Sequence, residues 1–220
     1  MNRPSWDQMY MNMCYEVASR SPDESTHSGC YIATTDNTPV SFGYNGFPRG
    51  IANTTERQQR PLKYQYFEHC ERNAFYNAGR EGKSVLGCKL YVNWLPCADC
   101  ARGIIQEGIS EVIIHQQGQQ AFLMSREDTV WTADHDLVLG MLEEAGVSWR
   151  WYTGNIRMGL EGFWSGKRYA FLGGRPVELS DDAQLMWVTK SEGDPLDVDA
   201  ELQDTIADLA KFAVEQAAVG

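Results

Sequence analysis

Residues 88–115, CKLYVNWLPCADCARGIIQEGISEVIIH, decide the fold. The apolar, β-rich run Cys88–Asn93 reads as a buried strand. Pro96 then opens a segment, Cys97–Glu107, whose apolar residues recur at helical spacing, and Glu111–His115 is a second strand. Strand, helix and strand joined by short connections make an α/β unit, whose sheet carries helices on both faces. Upstream, the spacing predicts a helix from His69 to Asn77 that closes near Gly79. Both helices start where a strand or loop feeds a helix N-terminus, the place where α/β folds put their sites.

Four side chains at these two starts form a reaction centre: His69 and Glu71, then Cys97 and Cys100 in Pro96-Cys97-Ala98-Asp99-Cys100. One His and two Cys supply three ligands for Zn2+ and leave the fourth position open, whereas a structural zinc is closed by four protein ligands. Glu71 is then the catalytic carboxylate that does not bind metal. On a helix, His69 and Glu71 point to nearly opposite sides, so they converge only on a centre lying off the helix N-terminal end. There, free N–H groups and the helix dipole favour thiolate and hydroxide. A purely structural metal clip would need a fourth ligand. Cys70 and Cys88, the candidates, read more simply as small buried residues.

The chain has 220 residues, 43% of them hydrophobic, enough for one packed domain with an appendage. No run is long and apolar enough to span a membrane, and the N-terminus lacks the pattern of a signal peptide, so the expectation is a cytoplasmic protein. Six cysteines in that compartment are thiols and ligands rather than disulfides, and Cys14, Cys30, Cys70 and Cys88 are expected in the core. The formal charge of −11 is concentrated. Between Asp181 and Asp208, nine acids face Lys190 alone and account for −8 of it. A body so near neutral argues against long nucleic acid as a partner and for a small nucleotide.

An amphipathic helix is expected over Ser5–Ser19, with Trp6, Met9, Met13 and Val17 on its apolar stripe. A hairpin follows, Gly29–Thr34 and Val40–Tyr44. The polar, irregular segment from Gly46 to Glu68 holds Arg49, Arg57, Arg60 and Lys63, and reads as a phosphate-binding or solvated loop. Further on come a helix, Asp134–Ala145, and a strand, Val147–Tyr152. Residues 1–153 therefore read as the catalytic domain. Residues 154–220 are an extension with the acidic segment and a short amphipathic helix (Leu202, Ile206, Leu209, Ala213), placed either on the chain's own core or at an oligomer contact.

With these residues in hand, the chain resembles the deoxycytidylate (dCMP) deaminases of the cytidine and deoxycytidylate deaminase superfamily. The resemblance rests on Arg20-Ser21-Pro22-Asp23, Gly43-Tyr44-Asn45-Gly46-Phe47-Pro48-Arg49-Gly50, Lys63-Tyr64-Gln65-Tyr66, His69-Cys70-Glu71-Arg72-Asn73-Ala74, Leu90-Tyr91-Val92 and Ile104-Ile105-Gln106-Glu107-Gly108-Ile109. The zinc motif alone also admits tRNA adenosine, guanine and riboflavin-pathway deaminases; the Gly-Tyr-Asn-Gly-x-Pro element is similar to the dCMP branch.

The resemblance implies a three-layer α/β/α cytidine-deaminase-like fold around a five-stranded mixed sheet, and hydrolysis of dCMP to dUMP and ammonia, feeding dTMP synthesis. It implies substrate contacts at Asn45, Cys70 and Arg20, with Tyr44, Gly46, Pro48, Arg49 and Lys63 at a phosphate or allosteric site. Homo-oligomers, hexamers among them, and effectors dCTP with Mg2+ and dTTP are further implications. Cys70, Asn93, Ser28 and Cys30 depart from residues usual in the family, which opens the 5-position of the base to substituents. The alternatives are a polynucleotide deaminase acting on tRNA or single-stranded DNA, and a non-catalytic nucleotide-binding regulator.

Overall fold

Alternation along the central strands divides the molecule into two cores. The computed structural model describes residues 3–125, 130–157, 160–172, 175–179 and 185–186. Five strands form a mixed sheet: β2 (Gly29–Ala33), β3 (Pro39–Tyr44), β4 (Lys89–Val92), β5 (Glu111–His115) and β6 (Ser148–Tyr152), in the order β3-β2-β4-β5-β6. β2 runs antiparallel to β3 and β4, while β4, β5 and β6 are parallel. Leu90, Val92, Val112 and Ile114 point to one face, under α4 (Cys70–Arg80), α5 (Ala98–Gln106) and α7 (Val130–Glu144). Tyr91 and Ile113 point to the other, under α1 (Trp6–Ala18) and α6 (Gln116–Met124). The expected three-layer α/β/α arrangement is present.

Several expectations shift in detail. α1 starts at the expected place, with Ser5 capping it through a bond from the Gln8 N–H. Its buried face, however, is Tyr10, Met11, Cys14, Tyr15, Val17 and Ala18, while Trp6 and Met13 are exposed. Close packing on β2 sets its rotation: a Cβ at Gly29 would sit 2.1 Å from the Cys14 carbonyl oxygen and 2.7 Å from the Ala18 nitrogen, so the side of the helix bearing Cys14 and Ala18 lies directly on that strand. α4 runs past Gly79 to Arg80, and the 46–68 segment carries two short helices, α2 (Thr55–Gln58) and α3 (Lys63–Tyr66). Cys14, Cys30, Cys70 and Cys88 are buried free thiols, as composition led us to expect.

A second sheet has no counterpart in the sequence reading. β1 (Thr26–His27), β7 (Gly162–Trp164), β8 (Lys167–Leu172), β9 (Arg175–Leu179) and β10 (Leu185–Met186) pair antiparallel in that order. Ser165 (φ 51°) and Gly166 (φ 78°) make the two-residue turn between β7 and β8, the left-handed pair that hairpins favour. Trp164, Tyr169 and Phe171 pack from this sheet onto Tyr15 and His115, so this part of the extension lies on the chain's own core. Most of the acidic segment and the 202–213 stripe lie outside the described residues.

Candidate active site

Both helix starts converge as the ligand spacing requires. His69 is the N-cap of α4 and Cys97 the N-cap of α5, each in extended backbone and neither making a side-chain cap bond. Their side chains are thus turned away from their own helices and toward each other. His69 Nδ1 lies 3.3 Å from Cys97 Sγ and 3.6 Å from Cys100 Sγ. Around a tetrahedral zinc with bonds of about 2.05 Å to N and about 2.3 Å to S, those atoms would stand about 3.6 Å apart. The donor set and its spacing therefore fit Zn2+, with one position left for a small ligand.

Electrostatics agree with a cation site. The Cys100 thiol bonds to Cys97, and with His69 alongside it holds Cys97 down to about 3 against the opposing effect of burial. Burial pulls His69 down, but Cys97 beside it prevails and raises it. Arg72 points Nη1 at Cys100 Sγ at 3.5 Å while its Nε is held by Glu68 at 2.6 Å. The three ligands thus share protons that a divalent cation displaces on binding.

The carboxylate of Glu71 is buried beside this cluster. Burial pushes the Cys70 thiol well up, so Cys70 stays protonated and donates to Glu71 Oε2 at 3.2 Å. Both residues line a cavity of about 440 Å³ together with His69, Cys97 and Val92. That size is ordinary for a small-molecule site.

The cavity has two unlike walls. One is apolar: Trp94, Leu95 and Phe122, with the Trp94 and Phe122 rings stacked at 5.2 Å. The other is polar and built around Asp23. Its Oδ1 accepts from Lys63 Nζ (2.5 Å) and from the Ser25 (2.7 Å) and Thr26 (3.1 Å) N–H groups, and its Oδ2 accepts from Asn45 Nδ2 at 3.1 Å. Asn45 lines the cavity with its amide largely committed, since Nδ2 also donates to the Thr26 carbonyl and Oδ1 accepts from the Ser28 N–H. Lys63 lines it too, giving a second bond to Ser25 Oγ at 2.7 Å.

The remaining sequence candidates lie elsewhere. Arg20 is exposed beyond the end of α1 and does not line the cavity. Arg49 is exposed and bonds to Asn77 on the outer side of α4. Tyr44 and Gly46 serve the scaffold: the Tyr44 carbonyl accepts from Asn73 Nδ2, and Gly46 pairs with Glu68, next to His69. Pro48 is exposed and away from the cavity. Arg60, which sequence reasoning noted without assigning a role, does line it, stacked over the Tyr64 ring. Trp94 and Phe122 were also missed. Trp94 stands three residues before Cys97, and that proximity was the available signal.

The family model for the cytidine and deoxycytidylate deaminase zinc-binding region matches residues 4–116. Among relatives, the chain is 35% identical over 146 residues to the "uncharacterized deaminase in luxG 3′ region" of Aliivibrio fischeri, covering 66% of this chain and 92% of that one. It is 39% identical to the mouse deoxycytidylate deaminase and 37% identical to the human one, over 114 residues. These matches cover 49% of this chain and 63% of each relative. In structure it is similar to a dCMP deaminase from cyanophage S-TIM5 in complex with dCMP and dUMP, with a TM-score of 0.52 at 19% identity, over 69% of this chain and all of that one. This last likeness bears on the fold. With the matched region spanning both helix starts and all four residues of the metal-and-carboxylate cluster, this chain belongs to the cytidine and deoxycytidylate deaminase family.

Proposed function

We propose that the protein hydrolyses dCMP to dUMP and ammonia. The observation that carries this reading is the buried Glu71 carboxylate beside the His69/Cys97/Cys100 cluster, in a cavity whose polar wall presents Lys63 and Arg60. The names of the mouse and human relatives supply the substrate.

His69, Cys97 and Cys100 would hold the zinc, which when bound would supply the Lewis acidity that makes a water easier to ionise near neutral pH. The chain's own residues do the rest. Glu71 takes one proton from the attacking water as the C4–O bond forms and passes it to N3; it then carries the second proton from the resulting C4 hydroxyl to the amine, so that C4=O forms as the C4–N bond breaks and ammonia leaves. Cys70, bonded to Glu71, orients that carboxylate. Lys63 has one N–H left after Asp23 and Ser25, and with Arg60 it replaces Arg20 and Arg49 as the phosphate donors of this reading.

The Trp94, Leu95 and Phe122 wall favours planar apolar surface. It supports tolerance for a 5-methyl or 5-hydroxymethyl group on the base. A cytoplasmic homo-oligomer that feeds dTMP synthesis and responds to dCTP with Mg2+ and to dTTP completes the proposal. Deoxycytidine, dCMP, 5-methyl-dCMP, dCTP and CMP assayed for ammonia, with and without those effectors, test it. The expected result is the highest kcat/KM on a deoxynucleoside monophosphate; equal rates on deoxycytidine and dCMP would refute the phosphate contacts.

A further inference from the structure

The two walls of the cavity are joined behind by the second sheet. The polar wall is carried by the 23–28 segment, and β1 within it is the edge strand of that sheet rather than of the central one. Thr26 is in register with Trp164, and His27 with Phe163, whose ring lies 4.6 Å from the His27 ring. Two further bonds stitch the hairpin to this wall: Gly166 N–H to the Ser25 carbonyl at 2.8 Å and Ser165 N–H to Thr26 Oγ1 at 3.3 Å. On the other side, the fully buried Trp164 indole meets the Trp94 ring edge-on at 5.7 Å, behind the Trp94 and Phe122 stack. All of this contact comes from residues beyond the 4–116 span of the family model.

We propose that Trp164 is a positioning residue that sets the width of the substrate cavity. Its backbone fixes the polar wall through Thr26 and its side chain fixes the apolar wall through Trp94. Gly162 leaves room for the ring, since a Cβ there would lie 1.8 Å from the indole. His69 and Cys97 cap α4 and α5, and Cys100 lies in the first turn of α5, elements that belong to the central three-layer core and not to this sheet. Loosening Trp164 therefore weakens nucleotide binding and leaves the metal centre and the chemical step in place.

The proposal rests on the dCMP reading for its kinetic arm alone. In Trp164→Leu, KM for dCMP rises about fivefold or more while kcat stays within about twofold, and Trp164→Phe restores KM to within about twofold. Zinc per chain, by atomic absorption, is unchanged. Deuterium exchange by mass spectrometry supplies an arm independent of substrate: amides of residues 23–28 exchange about tenfold faster in Trp164→Leu, and those of 70–75 do not. If Trp164→Leu fails to fold, Trp164→Met carries both measurements with the same expected changes in KM and in exchange of 23–28. A folded variant with KM and exchange of 23–28 both unchanged overturns the proposal, as does a loss of zinc and kcat in parallel with KM. If the unaltered chain releases no ammonia from dCMP, the substrate reading falls and the exchange arm still decides the role of Trp164.

Discussion

His69 and Cys97 stand where a helix ordinarily carries Ser, Thr, Asp or Asn, and make no cap bond; their side chains instead join Cys100 in the cluster that fits Zn2+. Stability and function are therefore opposed at these two positions. Cys97→Asp is expected to abolish stoichiometric zinc, measured by atomic absorption, yet to raise the denaturant midpoint of the chelator-treated protein by the equivalent of about 0.5–2 kcal/mol, the usual worth of a cap. Glu71 is a separate case. Glu71→Gln keeps the shape and should retain zinc, while ammonia release falls by about 10²–10⁴, the contribution of a positioned proton carrier. A variant that releases ammonia at near-parental rate would remove Glu71 from the mechanism. These residues were legible because their message is local: ligand type, the i, i+3 spacing of the thiols, and a helix start at each. Lys63 was among the cations the sequence offered, but what turns it inward is Asp23, about 40 positions away in the chain, and Arg60, which lines the cavity over the Tyr64 ring, carried no local signal of its own.

α4 lies so close on β3 that a Cβ at Gly43 would come within 2.1 Å of the Cys70 carbonyl oxygen and 2.5 Å of the Ala74 nitrogen. Both clashes are with backbone of the first turns of α4, so relief requires moving the helix that carries His69 and Glu71. Gly43→Ala is expected to cost about 1–3 kcal/mol or more, read as a drop in melting temperature, and to lower activity with it. Gly79, within the same helix and with open space around it, should respond oppositely: Gly79→Ala adds up to about 1 kcal/mol. α6 escaped sequence reading for a related reason. Its Gln117 and Gln119 look like solvent-facing residues, but both are buried: Gln119 accepts from the Leu95 N–H and Gln117 donates to the Thr153 carbonyl. Polar side chains that satisfy loop backbone leave no apolar period to find.

Across the whole molecule, the central sheet announced itself through short, regular connections, whereas the second sheet joins residue 26 to residue 164 and left no local trace beyond its two-residue turn. Between the two sheets sits His115, fully buried, bonded to Tyr15 at 2.6 Å, its pKa pushed by burial down to about 3. In the unfolded chain the imidazole binds a proton below about 6.5, and in the folded chain not until about 3. Its contribution is thus full above pH 6.5 and declines as pH falls through that window, by about 1.4 kcal/mol per unit. Denaturant midpoints of the parent should drop more between pH 7.5 and 5 than those of His115→Asn, and equal drops would assign the loss to other groups. The pairing of β1 with β7 also gives the molecule an order of completion. His69, Cys97 and Cys100 have all been synthesised once Cys100 is made, but β7, the strand that pairs with β1, is more than 60 residues further along. At about 5–20 residues per second, a nascent chain would spend roughly 3–13 seconds with the His69, Cys97 and Cys100 set present and β1 without its partner strand.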